Sequence, residues 1–438
     1  MEKVGKSGGL FGWYFNTNLV YRILIGLVLG AVAGLVLASS LGGSAELPKV
    51  LNVIRPFGQA FIRLLMMIMV PVIFATLVVG AASVSPQQLG KIGVRIMLIY
   101  VFTSFAAVGT GLLAGAIFRP QVALVAAETA AGDSRQAPAL SQVLLDIIPT
   151  NIVSSVSNAQ LLGIIFFTLC FGTALSILRA SGNEKTKKAA ELVFTFFEGI
   201  AEIMIKMVKG IMQYAPFGVF ALIAVVFAES GPKVVGGLVM TVVTAYVAYL
   251  AFIIVWYLLV WVKLIGGVSI GRFVANAKEA FITGFVTRSS AATLPVMMEC
   301  AQKLGIPKNV YSFAVPLGAT INMDGTAIYQ GVAVVFITLS VGHVLSPQDI
   351  LMVLLMATLA TIGTAGVPGG GAIMLLMVLT QLGLPASAGT TVAAAYAMIL
   401  GIDALLDMCR TGINVVGDLV YLTGLSKRMG TLEMDKWK

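Results

Sequence analysis

Residues 401–418 read GIDALLDMCRTGINVVGD, directly after the apolar run TVAAAYAMIL at 391–400. On a helix turning about 100° per residue, Asp403, Asp407, Arg410, Asn414 and Asp418 follow one another at intervals of 4, 3, 4 and 4. They share one face, while Leu405, Leu406, Ile413 and Val416 fall largely on the other sides. An ionised stripe beside an apolar run decides what kind of molecule this is.

The rest of the chain belongs in lipid. Of 438 residues, 58% are hydrophobic and 11% charged, and the mean hydropathy is +0.98. A soluble domain cannot bury that much apolar surface, so the chain is an integral membrane protein. Its apolar runs exceed the roughly ten residues of a membrane strand. They read as helices, because lipid offers backbone groups no other partner. Ordinary spans are expected at 20–40, 56–84, 92–118, 158–180, 188–229 and 233–263, the fifth kinked near QYAP (213–216).

The net charge of +9 comes from Lys and Arg in short connections such as KIGVR (91–95) and NEKTKK (183–188). That is the positive-inside pattern and not a nucleic-acid signal. It places the N-terminus and both connections in the cytoplasm and residues 119–157 outside. No cleavable signal pattern opens the sequence. The spacing of Cys170, Cys300 and Cys409 suggests neither a metal site nor a disulfide framework. His343 sits in a short polar loop and receives no role.

Each central Asp or Arg costs about 2.5–3.5 kcal/mol in a lipid-facing helix, so four would cost on the order of 10 kcal/mol. The stripe must therefore face protein or a wet cavity. An internal Asp407–Arg410 pair is the bland alternative. Three acids against one base leave it unbalanced: the surplus negative charge wants cations, and Arg410 wants a carboxylate.

From about residue 280 the apolar segments are broken by Gly, Pro, Ser and Thr: TRSSAATLP (287–295), ATINMDGTA (319–327) and TIGTAGVPGGG (361–371). The order is a short interrupted segment and then a polar helix, twice over. That suggests internal repeats with a binding site where they meet. In NMDGT, Asn322, Asp324 and Thr326 lie two apart and cannot share a helical face. An unwound segment, eased by Gly325, would turn their oxygens and freed carbonyls into one cavity suited to a hard cation. Hydroxyls of TRSS and the glycines 363–371 offer further polar groups at membrane depth. Two other classes would also place carboxylates in membrane helices: an embedded aspartyl protease pairing Asp324 with Asp407, and an ion channel. The protease does not explain Arg410 or the broken segments; single-channel currents without substrate would favour the channel.

RSSAATLP, NMDGTA, GTAGVPGGGAIM and DALLDMCRTGINVVGD, in this order, resemble the dicarboxylate/amino acid:cation symporters, the glutamate transporter family. YVFTS (100–104) and QYAPFGVFALIA (213–224) extend the likeness more loosely. The resemblance implies an all-α membrane protein of eight transmembrane helices and two re-entrant helical hairpins, built from inverted repeats and working as an elevator-type transporter. Residues 1–230 would be mainly scaffold and trimerisation helices of a homotrimer, with the helix near 92–118 belonging to the transport domain. That domain would occupy 231–425, with hairpins near 281–300 and 355–380, the second acting as gate. Residues 426–438 would be a cytoplasmic tail.

Carried over by motif, Arg410 would bind the substrate's side-chain carboxylate, Asp407 its ammonium group and Asn414 its α-carboxylate. Thr326 and Thr411 would assist, with backbone contacts from Ser290 and from Val367 to Gly371. One sodium site would use Asp418, Asn414, Asn322 and the Gly318 carbonyl. A second would use Tyr100, Thr103, Ser104, Asn322 and Asp324. A third would draw carbonyls from Thr320, Thr361, Ile362 and Thr364 beside Met323. Ala291 departs from a serine common in the family. The resemblance implies a multi-pass cell-membrane symporter coupling inward sodium flux to uptake of L-aspartate or L-glutamate. Sodium is transported and is not a prosthetic group. A proton-coupled glutamate or dicarboxylate carrier is the alternative. Asp407 argues against a dicarboxylate-only carrier, Arg410 against a neutral amino-acid carrier, and Gly417–Asp418 resembles the sodium-coupled members.

Overall fold

The computed structural model describes residues 17–83, 93–122, 124, 145, 148–158, 160–362, 366, 369–387 and 390–437. The helices are α1 (Leu19–Leu41), α2 (Leu47–Ala82), α3 (Val94–Phe118), the short α4 (Ile152–Ser157), α5 (Leu161–Arg179) and α6 (Glu184–Ser230). Then come α7 (Lys233–Ala251), which runs on as a wider helix through Phe252–Ile265, and α8 (Ile270–Thr287), α9 (Ser290–Lys303), α10 (Lys308–Ile321) and α11 (Asp324–Ser340). Last are α12 (Pro347–Ile362), α13 (Gly370–Gln381) and α14 (Thr391–Arg428). No strand occurs among the described residues.

Seven helical stretches among the described residues are long and apolar enough to cross a membrane, with α10 and α11 counted as one across Ala314–Ser340. The expected span at 158–180 is α5, whose 19 residues reach about 28 Å against a hydrocarbon core of about 30 Å. All eight expected spans are thus present as helices. α6 runs unbroken through Pro216.

The two interrupted segments fold as helical hairpins. α8 packs on α9 and α12 on α13. Their arms of 18, 14, 16 and 12 residues reach about 18–27 Å, and none is both long and apolar enough to cross singly. The hairpins span Ile270–Lys303 and Pro347–Gln381, wider at their bases than the sequence suggested, because amphipathic turns such as GRFVANAKEA (271–280) extend the helices beyond the apolar core of each segment.

Burial runs opposite to apolarity. Of the most apolar window of Ala314–Ser340, 94% is buried, and of Thr391–Arg428, 83%, against 22% for Tyr21–Leu41. Helices carrying polar groups therefore occupy the centre, and the largely apolar α1 leaves most of its side chains facing outward. α14 packs against α7 through α11, while α1, α2 and α5 pack on α6 and α3 lies along α11.

The end of the chain is not a free tail. α14 continues to Arg428, and the following residues fold back onto the α9–α10 connection. Glu433 N donates to the Gly305 carbonyl at 2.9 Å. The buried Trp437 donates its indole N–H to the Leu304 carbonyl at 2.8 Å.

Candidate substrate and cation sites

The break between α10 and α11 is shorter than the sequence suggested. Only Asn322 and Met323 leave helical geometry, whereas Asp324, Gly325 and Thr326 open α11. The N–H groups exposed at this helix start are satisfied from α14: Asn414 Oδ1 accepts from Gly325 N at 2.8 Å and Thr326 N at 3.3 Å. A side chain from a second helix thus does the work of a cap. Asn414 Nδ2 in turn donates to Thr326 Oγ1 at 3.2 Å. Gly325 serves close packing rather than unwinding, since a Cβ there would lie 2.2 Å from the Arg410 carbonyl.

The stripe on α14 is buried along its whole length: Asp403, Asp407, Arg410, Asn414 and Asp418 are at most 4% exposed. Arg410 bridges two aspartates, with Nη1 2.9 Å from Asp403 Oδ1 and Nη2 2.7 Å from Asp407 Oδ1. Its guanidinium lies over the Tyr329 ring, 4.6 Å from the centroid. The remaining Asp407 oxygen is held from the first hairpin: Arg288 Nε donates to Oδ2 at 2.8 Å. Arg288 sits at the tip between α8 and α9 in a left-handed conformation, φ 54°, a geometry that costs a non-glycine residue on the order of 1–3 kcal/mol. The buried ion pair holds it there.

This arrangement corrects the charge count made on α14 alone. Arg288 and Arg410 balance Asp403 and Asp407. The unbalanced acids are Asp324 and Asp418, which have no cationic partner among the described residues. Sequence reasoning took TRSS as a run of hydroxyls and left Arg288 out. The signal was available: an arginine at membrane depth needs an acid.

Around the balanced cluster lies a narrow polar chamber, with room in this conformation for about one water. Arg288, Ser290, Met323, Thr326, Asp407 and Arg410 line it, with Thr411, Asn414, Gly366 and Gly371 completing the wall. Thr411 Oγ1 donates to Asp407 Oδ1 at 3.3 Å. The tips of the hairpins meet over it, with Ser289 Oγ donating to the Gly366 carbonyl at 2.9 Å. The expected substrate residues Arg410, Asp407, Asn414, Thr326, Thr411, Ser290 and Gly371 therefore converge on one space. Val367 lies outside the described residues.

Behind the break is a second polar region. Asn322 Nδ2 donates to Asp418 Oδ1 at 2.9 Å, and the Gly318 backbone abuts the Asp418 carboxylate. Asp324 Oδ2 accepts from the hydroxyls of Tyr257 and Tyr421. Five buried oxygens in this region have no hydrogen-bond partner among the described residues: Asp324 Oδ1, Asp418 Oδ2, Asn322 Oδ1, Tyr100 OH and Ser104 Oγ. Tyr100 interacts with Asp418, and Thr103 and Ser104 with Asp324, at geometry short of good hydrogen bonds. Unpaired buried oxygens are costly, and a cluster of them beside two carboxylates matches the oxygen ligands of a hard cation.

The third expected cation set is less completely seen. Met323 lines the chamber. The Thr361 hydroxyl turns back to the Thr358 carbonyl at 2.6 Å, and the exposed Thr320 hydroxyl to the Leu317 carbonyl at 2.9 Å. Ile362 ends α12, and Thr364 lies outside the described residues.

A family model described as the sodium:dicarboxylate symporter family matches residues 19–428. A proton/sodium-glutamate symport protein of Bacillus caldotenax is 33% identical over 431 residues, covering 96% of this chain and 97% of its own. A proton/glutamate-aspartate symporter of Escherichia coli is 33% identical, with 94% and 92% covered. C4-dicarboxylate transport protein 1 of Mesorhizobium japonicum is 30% identical, with 95% and 84% covered. The buried charge cluster between two hairpins thus sits in a chain that matches this group almost from end to end, and the protein belongs to the sodium:dicarboxylate symporter family, a family of transporters and not of enzymes.

Proposed function

We propose that the protein is a sodium-coupled symporter for an acidic amino acid, L-aspartate or L-glutamate. The observation that carries this reading is the partition of buried charge. The chamber is lined by Arg288, Arg410 and Asp407, which pair with one another, and Arg410 also pairs with Asp403 outside that lining. An amino acid with two carboxylates and one ammonium group exchanges those pairs for its own: Arg410 takes the side-chain carboxylate, Asp407 the ammonium and Asn414 the α-carboxylate. Its net negative charge falls close to Asp324 and Asp418. Cations on the unpartnered oxygens around those two acids lower that electrostatic cost, and linkage makes the help mutual. Aspartate and glutamate differ by a single methylene, worth about 1–3 kcal/mol in such a pocket.

Names of relatives support the substrate class: glutamate occurs in two of them, aspartate in one of those two and C4-dicarboxylates in a third. They also favour a second reading, a proton-coupled carrier, since protons are named in two. The packing of α1 and α2 on α6, far more extensive than their contacts with the second hairpin and α14, supports a scaffold that assembles as a homotrimer and a transport domain that moves against it. α3 joins the moving part through α11, and the second hairpin is the gate. The N-terminus is cytoplasmic in this reading.

The test is uptake of radiolabelled aspartate into proteoliposomes. An inward sodium gradient should drive accumulation at constant pH, and potassium should not replace it. Uptake that follows a pH gradient and ignores sodium would select the proton-coupled reading.

A further inference from the structure

The second half of the α7 span, Phe252–Ile265, winds over 14 residues with π-type hydrogen bonding. Such segments are rare and often accompany function. Here the wide winding carries Tyr257 and Trp261 into the protein core. Both rings pack edge-on against Tyr421 of α14, with centroids 5.7 and 4.8 Å away. The Tyr257 hydroxyl donates to Asp324 Oδ2 at 2.8 Å. The Tyr421 hydroxyl donates to the same oxygen. The other oxygen, Oδ1, has no partner among the described residues, and Thr103 and Ser104 interact with this carboxyl from α3. One end of the carboxylate is tied twice, and the other meets no good hydrogen-bond partner among the described residues.

The approach of Tyr257 depends on α14 as well. A Cβ on Gly417 would lie 2.4 Å from the Tyr257 hydroxyl, so only glycine admits the phenol there. Neither tyrosine lines the amino-acid chamber.

We infer that Tyr257 and Tyr421 are positioning residues for the transported cation: they anchor Asp324 Oδ2 so that Oδ1 is presented towards α3. This rests on the reading above that Asp324 belongs to a sodium site. An untied carboxylate turns about its terminal torsion, and each cation bound must then stop that motion. Partners that orient a metal-binding carboxylate typically account for about 10–100-fold in affinity. Phenylalanine at either position removes the hydroxyl and keeps the ring packing.

The experiment uses the full chain in detergent, as parent, Tyr257→Phe and Tyr421→Phe. Thermal unfolding is followed against sodium chloride without amino acid, with choline chloride holding ionic strength constant. Aspartate affinity is then measured at saturating sodium. Each variant should need about tenfold more sodium for half-maximal stabilisation, with unchanged aspartate affinity once sodium saturates. Gly417→Ala should reproduce the sodium shift from the other side of the contact. Variants that match the parent's sodium midpoint would overturn the inference, as would an equal weakening of sodium and aspartate binding, which marks a merely structural role. A parent that sodium does not stabilise would overturn the symport reading and this inference together. A stabilised parent matched by both variants would overturn this inference alone.

Discussion

Gly318→Ala places one methyl group where the Asp418 carboxylate already lies. The added Cβ would sit 2.0 Å from Asp418 Oδ1, 2.4 Å from its carboxyl carbon and 2.6 Å from Oδ2. Real Cβ contacts essentially never fall under 3.0 Å, so the carboxylate must retreat by about 1 Å, on the scale that separates a hydrogen bond from none. The bond from Asn322 Nδ2, now 2.9 Å, is then lost or badly bent. A hydrogen bond to a charged group contributes about 1.5–3 kcal/mol, which corresponds to roughly tenfold to hundredfold weaker cation binding. The amino-acid chamber is lined by other residues, so aspartate affinity at saturating sodium should persist. The assay is calorimetric titration of aspartate at several sodium concentrations, with Gly199→Ala as control, because nothing lies within 4 Å of a Cβ at that position. If Gly318→Ala shows the parent's sodium dependence, the placement of a cation against Asp418 is wrong.

Arg410→Ala removes both ion pairs to Asp403 and Asp407 and should abolish aspartate binding, read by the same calorimetry; retained affinity would deny Arg410 its role. Arg288→Gln leaves Asp407 to Arg410 alone, and loss of a buried partner costs about 3–5 kcal/mol. The expected result is a lower melting temperature together with weaker aspartate binding at saturating sodium. Trp437→Ala empties a buried site and removes the bond to the Leu304 carbonyl, at about 3–5 kcal/mol; hydrogen exchange should rise at residues 302–306 while the tip at Ser289–Ser290 stays protected.

The helices were legible because hydropathy and length suffice to mark a span, and both hairpins because Gly, Pro and Ser interrupt otherwise apolar runs. The chamber was legible through the spacing of Asp407, Arg410 and Asn414, since helical periodicity alone puts them on one face. Arg288 was missed because its partner lies 119 residues away and the left-handed turn that aims it inward depends on that pairing. Tyr257 and Tyr421 read as ordinary apolar helix residues. Only the wide winding after Ala251 and the crossing of α14 bring their hydroxyls to Asp324. The unwinding at NMDGT is confined to Asn322 and Met323 because Asn414 on another helix supplies the missing bonds, a partner that local spacing does not reveal. Trp437 falls within the expected tail at 426–438, and its burial follows the turn at Gly430, φ 69°.

The most direct measurement is a titration of the purified chain with L-aspartate, L-glutamate, succinate and serine, each with sodium and with potassium in its place. Binding confined to the acidic amino acids, and rising steeply with sodium, is the predicted result. Equal binding of serine, or aspartate affinity indifferent to sodium, would contradict the division of this buried cluster into a paired chamber for solute and an unpaired one for cations.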